Sequence, residues 1–381
     1  MSGEQAVLFS TLETESGKRI GVATLNSERS LNALSLEMIE LLEPQLKAWE
    51  QDPGIVCVWL DGAGEKAFCA GGDIVKMYHA TKDLVVENTE AEIEPVEEVV
   101  NFFTREYELD HQIRTYAKPI IVWGHGFVMG GGMGLMNGAS HRVVTEQSRL
   151  AMPEISIGLY PDVGGTWFLS RLPEGMGLFL GLTATQVNAT DALWLGMADV
   201  AIPSDRKEAT QQALLSAEWQ SASTINRKVA DEALRSVADA TAMPEAQLAP
   251  IHEAIRTLMS GDSLPGVVEQ LLRFETEDSL LQRAQKTLKH GCPMTAHIIW
   301  QQLQHGEQLS LADVFRLELT LSVNCAMYGD FIEGVRALLI DKDRQPKWRH
   351  ESVDLVSEAD IDAMFASPWS PEAHPLKDLG E

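Results

Sequence analysis

Cysteine is scarce in this chain of 381 residues, which contains only four. Cys57, Cys69, Cys292 and Cys325 stand far apart and form no CxxC pair. This spacing argues against a zinc site and against a disulfide framework. We therefore expect no bound metal ion and a location in the reducing cytoplasm.

Long apolar runs are also missing. No stretch approaches the ~18 consecutive apolar residues that would predict a membrane-spanning helix. The first residues, MSGEQ, have neither the basic start and apolar run of a signal peptide nor the arginine-rich character of a transit peptide. Because 45% of the residues are hydrophobic, the chain has ample material for a packed core. We expect a soluble globular protein with no membrane partner.

Basic residues are outnumbered by acidic ones, with 30 Lys and Arg against 56 Asp and Glu and a formal net charge of −26. Proteins that bind nucleic acids need clustered Lys and Arg against the phosphates, so this balance argues against a nucleic-acid partner. An anionic ligand would have to be bound by a local basic patch or by helix N-termini.

The N-terminal half twice repeats a unit of strand, glycine turn and helix. The apolar runs at 55–60 and 120–123 are typical of strands that are covered on both faces. Each is followed by a glycine turn, at 71–72 and 130–132, and then by a helical pattern. This repetition predicts an α/β fold that is built as a βα spiral.

Local turn and capping signals predict the neighbouring elements. A serine-glycine turn at 16–17 predicts a hairpin between strands at 7–12 and 19–25. Ser35 is predicted to cap the next helix, and Asp73 the helix after the first glycine turn.

Beyond Leu169 the pattern is mostly helical. This change predicts a spiral core at 1–200 and a helical C-terminal region at 201–367, followed by a flexible tail at 368–381. The stretch at 80–95 is acidic and poor in pattern, which predicts an exposed insertion.

Both glycine turns have the chemistry to bind a negative charge. A backbone without Cβ atoms lets a ligand approach closely, and successive N–H groups can then point at it. A helix that starts at the turn adds the positive end of its macrodipole. Two such turns facing each other would form an oxyanion hole. Either turn alone is more simply explained as a tight turn that needs unusual dihedral angles.

Two carboxylates lie in an otherwise apolar segment at 151–165. Glu154 and Asp162 stand eight residues apart there. Carboxylates among apolar neighbours are costly to bury, so they are usually paired, hydrogen bonded or functional. Glu106 lies beside the apolar stripe of a helix predicted at 96–116, where the alternative is a solvated side chain.

Three motifs, in this order, resemble the crotonase (enoyl-CoA hydratase/isomerase) superfamily. They are AFCAGGDI at 67–74, HGFVMGGG at 125–132 and MPE at 152–154. The resemblance covers about the first 200 residues. It implies a crotonase-like ββα spiral that acts on an acyl-CoA substrate and needs no added cofactor.

Two further segments resemble, more narrowly, the 3-hydroxyisobutyryl-CoA hydrolases. These segments are PDVGG at 161–165 and DFIEGVRALLIDKDRQPKW at 330–348. They imply a helical C-terminal region and the hydrolysis of 3-hydroxyisobutyryl-CoA to 3-hydroxyisobutyrate and CoA, a step of valine catabolism.

The resemblance implies roles for individual positions. The main-chain N–H groups of Gly72 and Gly131 match the two donors that hold the thioester carbonyl oxygen. Glu154 matches a catalytic carboxylate, and Asp162 matches the second acidic residue of the hydrolases. Glu106 matches an acidic position that is associated with substrate binding. Whether Glu154 acts as a nucleophile or as a general base stays open.

Further substrate-binding positions follow from the same resemblance. Gly71 and Asp73 flank the first donor, and Arg29 matches a basic residue beside the CoA phosphates. Superfamily members often assemble as trimers or as pairs of trimers. The resemblance therefore allows a homo-oligomer without fixing its state.

One position departs from the hydratase pattern. Hydratases carry a glutamate three residues after the middle glycine of the triplet, where this chain has Gly134. A hydratase without that acid lacks half of its acid/base pair, so the departure favours hydrolysis. Two alternatives stay open: a hydratase or isomerase with altered acid/base residues, and a catalytically idle paralogue that binds acyl-CoA.

Overall fold

The computed structural model describes residues 5–82, 95–221 and 223–380. The chain divides into two compact units, each assembled from separate stretches of sequence. The first unit comprises Met1–Gly72, Leu109–Leu150 and Val187–Pro250, and the second comprises Asp73–Glu108, Ala151–Gln186 and Ile251–Glu381. This alternation differs from the single boundary near residue 200 that the sequence predicted, because spatial contacts rather than chain order define each unit.

Strands and helices alternate in the first half of the chain, and helices follow one another in the second. In chain order, the strands of the described residues are β1 (Val7–Glu13), β2 (Arg19–Leu25), β3 (Ile55–Gly62), β4 (Ala67–Cys69), β5 (Ile120–Gly124), β6 (Phe127–Met129), β7 (His141–Val144), β8 (Arg149–Ala151) and β9 (Val200–Ala201). The helices are α1 (Leu36–Gln51), α2 (Ile74–Thr81), α3 (Glu97–Thr115), α4 (Gly131–Gly138), α5 (Gly165–Leu169), α6 (Met176–Thr183), α7 (Ala189–Trp194), α8 (Lys207–Leu215), α9 (Ser223–Val237), α10 (His252–Leu258), α11 (Leu264–Arg273), α12 (Ser279–His290), α13 (Pro293–His305), α14 (Leu311–Tyr328), α15 (Asp330–Val335) and α16 (Glu358–Phe365).

A six-stranded sheet in the order β1-β2-β3-β5-β7-β9 lies in the first unit. β1 and β2 pair antiparallel, which confirms the predicted hairpin, and the other neighbours are parallel. Every residue of β3 is buried, as expected for a parallel strand that is covered on both faces. Trp59 and Trp123 stack in the core with ring centroids 5.6 Å apart. Leu214 of α8 and Leu234 of α9 belong to the same buried cluster.

A second, three-stranded sheet has the order β4-β6-β8. β4 and β6 are parallel, with Ala67 opposite Phe127 and Cys69 opposite Val128. The sequence did not predict these strands, because three residues beside a run of glycines carry too little periodicity to be distinguished from a turn. Their pairing sets the two glycine turns side by side.

The capping residues of three helices test the local predictions. Ser35 caps α1 as predicted, since its side chain accepts a hydrogen bond from the amide of Met38. Asp73 occupies the cap position of α2, but its side chain makes no capping hydrogen bond, so that part of the prediction is wrong. In the region predicted to be mostly helical, Asn188 caps α7 by accepting from the amide of Asp191.

The C-terminal segment packs against α14. Leu376 is only 2% exposed. The guanidinium of Arg316 donates to the carbonyl oxygen of Leu376 at 2.9 Å and to that of Leu379 at 2.7 Å. These contacts differ from the flexible tail predicted at 368–381, because a single arginine can satisfy several carbonyl groups of an irregular segment.

The predicted acidic insertion at 80–95 falls largely outside the described residues, which exclude 83–94. Its first two residues, Ala80 and Thr81, belong to α2. Among the helices of the described ranges, none combines the length and the apolar character that crossing a membrane requires.

The close packing of the paired glycine turns predicts an unequal response to two alanine substitutions. A Cβ atom at Gly132 would lie 2.3 Å from the carbonyl oxygen of Cys69, whereas one at Gly17 would meet nothing within 4 Å. Gly17 has a φ of +74°, so its substitution carries backbone strain alone. We expect Gly132→Ala to lower the free energy of unfolding by about 2 to 3 kcal/mol and Gly17→Ala by about 1 kcal/mol. Denaturant unfolding of both variants measures the difference, and equal losses would contradict the packing described here.

Candidate active site

The first glycine turn is held against the backbone of a neighbouring loop. The amide of Leu34 donates to the carbonyl oxygen of Gly71 at 2.7 Å, and Leu34 and Gly72 form an isolated parallel bridge. Gly71 has a φ of +120°, which L-residues with a side chain rarely adopt. In the described part of the chain the amide of Gly72 has no main-chain acceptor. This N–H group is therefore free to donate to a ligand.

The second glycine turn starts α4. Gly130 has a φ of +47° and precedes Gly131, the first residue of the helix. The first N–H groups of a helix have no acceptor four residues earlier, so the amide of Gly131 is an unused donor at the positive end of the helix dipole. An added Cβ at Gly71 would lie 3.8 Å from the carbonyl oxygen of Met129, which puts the two turns in contact. The structure thus brings Gly71, Gly72 and Gly131 together, while their role as oxyanion donors stays a prediction.

The three candidate carboxylates belong to the second unit. Glu106 lies on α3, Glu154 opens a short 3-10 helix (Glu154–Ile157), and Asp162 lies in the turn before α5. They are 2%, 4% and 4% exposed, so all three are buried and Glu106 is not the solvated side chain of the alternative reading. Their roles in catalysis and binding stay predictions.

The Glu154 segment lies directly on α15. A Cβ atom at Gly158, which ends the 3-10 helix with a φ of +70°, would be 2.4 Å from the carbonyl carbon of Asp330. A Cβ atom at Gly334 would be 2.4 Å from the carbonyl carbon of Ile157. Both contacts are between main chains. The two glycines therefore permit the 3-10 helix and α15 to pack closely, which positions the backbone of Glu154.

Burial raises the pKa of all three carboxyls, and repulsion adds to the rise for Glu106 and Glu154. Loss of hydration is the larger cause for Glu106 and Glu154, and the charge of Asp162 adds to it in both. Burial raises the pKa of Asp162 to about 7, although a hydrogen bond from Tyr107 opposes the rise. Since charge interactions decay with distance, these shifts indicate that the structure brings the three carboxyls together.

Two oxygens of this cluster have no donor in the described part of the chain. They are Oε1 of Glu106 and Oε2 of Glu154. A buried acceptor without a partner costs free energy, so such atoms are expected where a ligand donates the missing hydrogen bond. The cluster can therefore accept a hydroxyl group and a water molecule.

Sequence reasoning missed the hydroxyl groups that surround Asp162. The hydroxyl of Tyr107 donates to Oδ2 of Asp162 at 2.8 Å and lies 2.6 Å from Oγ of Ser322. The hydroxyl of Tyr160 lies 2.9 Å from the same Oγ. Tyr107 lies on α3, and nothing in a helical pattern reveals where a phenol group points.

Glu318 on α14 was also missed. Its side chain is fully buried and accepts the amides of Gly164 at 2.7 Å and Thr166 at 2.9 Å. It thereby fixes the turn that carries Asp162. Burial raises the pKa of Glu318 to about 8, against the lowering effect of the two amide hydrogen bonds. A usable signal existed: Glu318 lies four residues after the buried Val314, and so on the buried face of the helix.

Two further predicted positions, Arg29 and Asp73, are less buried. Arg29 is exposed in a 3-10 helix (Glu28–Ser30) of the first unit. Asp73 is half-buried at the start of α2 in the second unit. Gly134 is buried inside α4 and brings no acid to that helix. Within residues 5–82, 95–221 and 223–380, no group of three or more His, Cys, Asp or Glu side chains has the arrangement of a metal site.

Comparison with known proteins decides the family. The family model described as enoyl-CoA hydratase/isomerase matches residues 20–365. The chain belongs to this family. Membership in the enoyl-CoA hydratase/isomerase family confirms the resemblance inferred from the three motifs, and the α/β crotonase-like fold is confirmed as well.

Similar proteins within the family carry one name. The 3-hydroxyisobutyryl-CoA hydrolase, mitochondrial, of Danio rerio is 39% identical over 92% of this chain and 87% of its own length. The protein of that name from Homo sapiens is 36% identical over 91% of this chain and 86% of its own length. Both relatives are named as mitochondrial enzymes, so the predicted cytoplasmic location is contradicted and is withdrawn.

Solved structures of the family match nearly the whole chain. A carnitinyl-CoA dehydratase from Mycobacterium thermoresistibile is 32% identical, with a TM-score of 0.84 over 99% of this chain and 100% of that one. An enoyl-CoA hydratase from Rhodobacter sphaeroides 2.4.1 is 30% identical, with a TM-score of 0.80 over 96% and 99%. The helical C-terminal half is therefore part of the shared architecture.

The raised pKa of Glu318 predicts a pH-dependent stability. The folded protein holds the Glu318 proton up to about pH 8, whereas the ordinary value for a glutamate is 4.5. Between these values the folded state binds more protons than the unfolded state, so stability falls as pH rises, by at most about 1.4 kcal/mol per pH unit for this group. We expect Glu318→Gln to flatten the fall between pH 5 and pH 8, measured by urea unfolding, and Glu277→Gln, at an exposed position of the same unit, to leave it unchanged. An unaltered slope in Glu318→Gln would contradict the burial of an ionisable group there.

Proposed function

We propose that this protein hydrolyses a short 3-hydroxyacyl-CoA thioester, and that 3-hydroxyisobutyryl-CoA is its substrate, as in valine catabolism. Relatives of that name, 36% and 39% identical over nine tenths of the chain, support the substrate. The observation that carries the reaction type is the combination of two buried acids, Glu154 and Asp162, with a glycine at position 134. Hydrolysis needs the former and does without the acid that hydration would require there.

Attack on the thioester carbonyl places a negative charge on its oxygen. We assign the stabilisation of that charge to the main-chain amides of Gly72 and Gly131, which have no acceptor of their own in the described residues. Each preorganised donor of this kind contributes roughly 3 kcal/mol to the transition state. Because the donors are main-chain groups, their positions depend on the paired turns rather than on side-chain rotamers.

Glu154 is the group that we assign to the attack. An ionised Oε2 can add to the carbonyl carbon, expel the CoA thiolate and form a mixed anhydride that water then hydrolyses. Alternatively, it can take a proton from a water molecule as that water attacks the same carbon. Burial and the charge of Asp162 raise the pKa of Glu154, which makes its carboxylate a stronger base in either route.

The substrate hydroxyl is assigned to Glu106 and Asp162. Oε1 of Glu106 has no donor in the described residues, and a 3-hydroxyl group would supply one. Asp162, whose Oδ2 accepts from Tyr107, is assigned to the same hydroxyl or to the attacking water. A thioester without the hydroxyl leaves Oε1 of Glu106 unpaired, which gives a physical basis for selectivity.

The CoA part of the substrate brings phosphates to a strongly acidic protein. We propose that the exposed Arg29 binds them, with Gly71 and Asp73 lining the approach to the donor amides, and that no added cofactor takes part.

A rival function is hydration or dehydration of an enoyl-CoA, which the names of the similar solved structures favour.

Thiol release from matched substrates tests the proposal against this rival. We expect free CoA from 3-hydroxyisobutyryl-CoA and 3-hydroxypropionyl-CoA, followed with a thiol reagent. For isobutyryl-CoA, which lacks the hydroxyl, we expect kcat/KM to be lower by at least about 100-fold. Crotonyl-CoA should keep its enoyl absorbance. Loss of that absorbance without thiol release would establish the rival instead.

Removal of the catalytic charge at Glu154 should abolish turnover without abolishing binding. We expect Glu154→Gln to lower kcat by about 1000-fold, because the amide can neither attack the carbonyl nor accept a proton. Substrate affinity, measured by calorimetry, should change little. Glu98→Gln, on the exposed face of α3, serves as the control and should keep the wild-type rate. A Glu154→Gln enzyme with near wild-type thiol release would refute the assignment.

A further inference from the structure

The hydroxyl groups around Asp162 form a chain whose direction follows from counting protons. The single proton of the Tyr107 hydroxyl is donated to Oδ2 of Asp162 at 2.8 Å. The 2.6 Å contact between Tyr107 and Ser322 then requires Ser322 to be the donor, since a phenol has one proton. Tyr160 can donate either to Oγ of Ser322 at 2.9 Å or to the carbonyl oxygen of Glu318 at 2.7 Å. The chain thus runs towards the carboxylate.

Bulk water does not reach this chain. Tyr107, Tyr160 and Ser322 are each fully buried. Aligned hydrogen bonds in a medium of low dielectric strengthen one another, so the Tyr107 hydroxyl is a better donor than an isolated phenol. Burial also raises the pKa of Tyr107, which keeps its proton in place as a donor.

The ring of Tyr107 packs as a phenylalanine would. Its centroid lies 5.8 Å from that of Phe103, one turn earlier on α3, and 5.6 Å from that of Phe315 on α14. Phe103 occupies the same buried stripe without a hydroxyl. The apolar contacts therefore account for an aromatic ring at this position, but not for its hydroxyl group.

We propose that Tyr107 and Ser322 are positioning residues, which hold the Asp162 carboxyl in a single orientation and favour its ionised form through the chain from Ser322 to Tyr107 to Asp162. The role rests on the proposed function, in which ionised Asp162 receives the substrate hydroxyl or the attacking water. Neither side chain touches the reacting atoms in this scheme. Their contribution is made through the carboxylate alone.

The groups that face Asp162 show why such a donor is needed. Besides Tyr107, the groups whose pKa responds to the charge of Asp162 are all acids: Glu106 of α3, Glu154 of the 3-10 helix, Tyr160 of the same loop, and Glu318 and Cys325 of α14. Each disfavours a charge on Asp162 when it is itself ionised. Burial raises the pKa of Asp162 to about 7, and Tyr107 is the side chain whose hydrogen bond opposes that rise.

The first test is the pH profile of kcat/KM for thiol release by the wild type, Tyr107→Phe and Ser322→Ala. Without the donor, Asp162 should ionise at higher pH, so we expect the acidic limb of Tyr107→Phe to move up by about one unit. The rate at pH 6 should fall about tenfold and recover towards the wild type above pH 8. Ser322→Ala should give a smaller shift in the same direction.

Tyr116→Phe is the matched control for that profile. Tyr116 is a buried tyrosine of the first unit, and its hydroxyl donates to the carbonyl oxygen of Leu46 at 2.6 Å. Its removal has the general cost of a lost buried hydroxyl and should not shift the acidic limb. If Tyr107→Phe behaves like Tyr116→Phe, with a loss of rate that is the same at every pH, the positioning role is refuted.

A stability cycle reads the same interaction without any substrate. The wild type, Tyr107→Phe, Asp162→Asn and the double variant are unfolded in urea between pH 5 and pH 9. When a carboxyl has a raised pKa in the folded state, the protein loses stability as pH rises towards that pKa. Because Tyr107→Phe should raise the folded pKa of Asp162 further, the loss of stability should continue to higher pH. In the Asp162→Asn background the same substitution should leave the pH dependence unchanged. An identical effect in both backgrounds overturns the proposal, even if the enzyme proves to act on another thioester.

Discussion

Three carboxyl groups with almost no contact with water, Glu106, Glu154 and Asp162, impose the constraint on which the second unit depends. Burial removes their hydration, and their proximity makes each charge oppose the others. The protein offsets this cost only in part, through the hydroxyl of Tyr107. Some buried oxygens have no donor in the described residues. A polar ligand that donates to them would therefore lower the free energy of the cluster.

The two units contribute different kinds of hydrogen-bonding group, main-chain amides in the first and side-chain carboxyls in the second. The donors that we propose in the first unit are main-chain amides, which cannot change rotamer and carry no ionisable group. The second unit presents acceptors and uses side chains, whose charge depends on their surroundings. That difference explains the composition of each segment: glycines surround the donors, whereas tyrosines, a serine and a further glutamate surround the acceptors.

The parts of this structure that depend on local sequence were predictable. The hairpin, the buried strands and the cap at Ser35 each follow from a pattern within a few residues. The two sets of candidate groups were predictable too, because glycine runs and isolated acids are conspicuous in apolar sequence. Ser322 and Glu318 were not, since their partners, Tyr160 and the turn at Asp162, lie more than 150 residues away in sequence, and both resemble ordinary helix residues. Only tertiary packing gives them their partners.

The contact between Gly334 and Ile157 shows that the C-terminal half packs against the segment of Glu154, which is distant in sequence. Two backbones touch there without a side chain between them, so α15 is the surface that supports the 3-10 helix of Glu154. A shortened chain that ended before residue 330 would keep every predicted donor and acid. It would lose α15, the helix against which the segment of Glu154 packs. The C-terminal stretch therefore supports the backbone of the segment that carries Glu154.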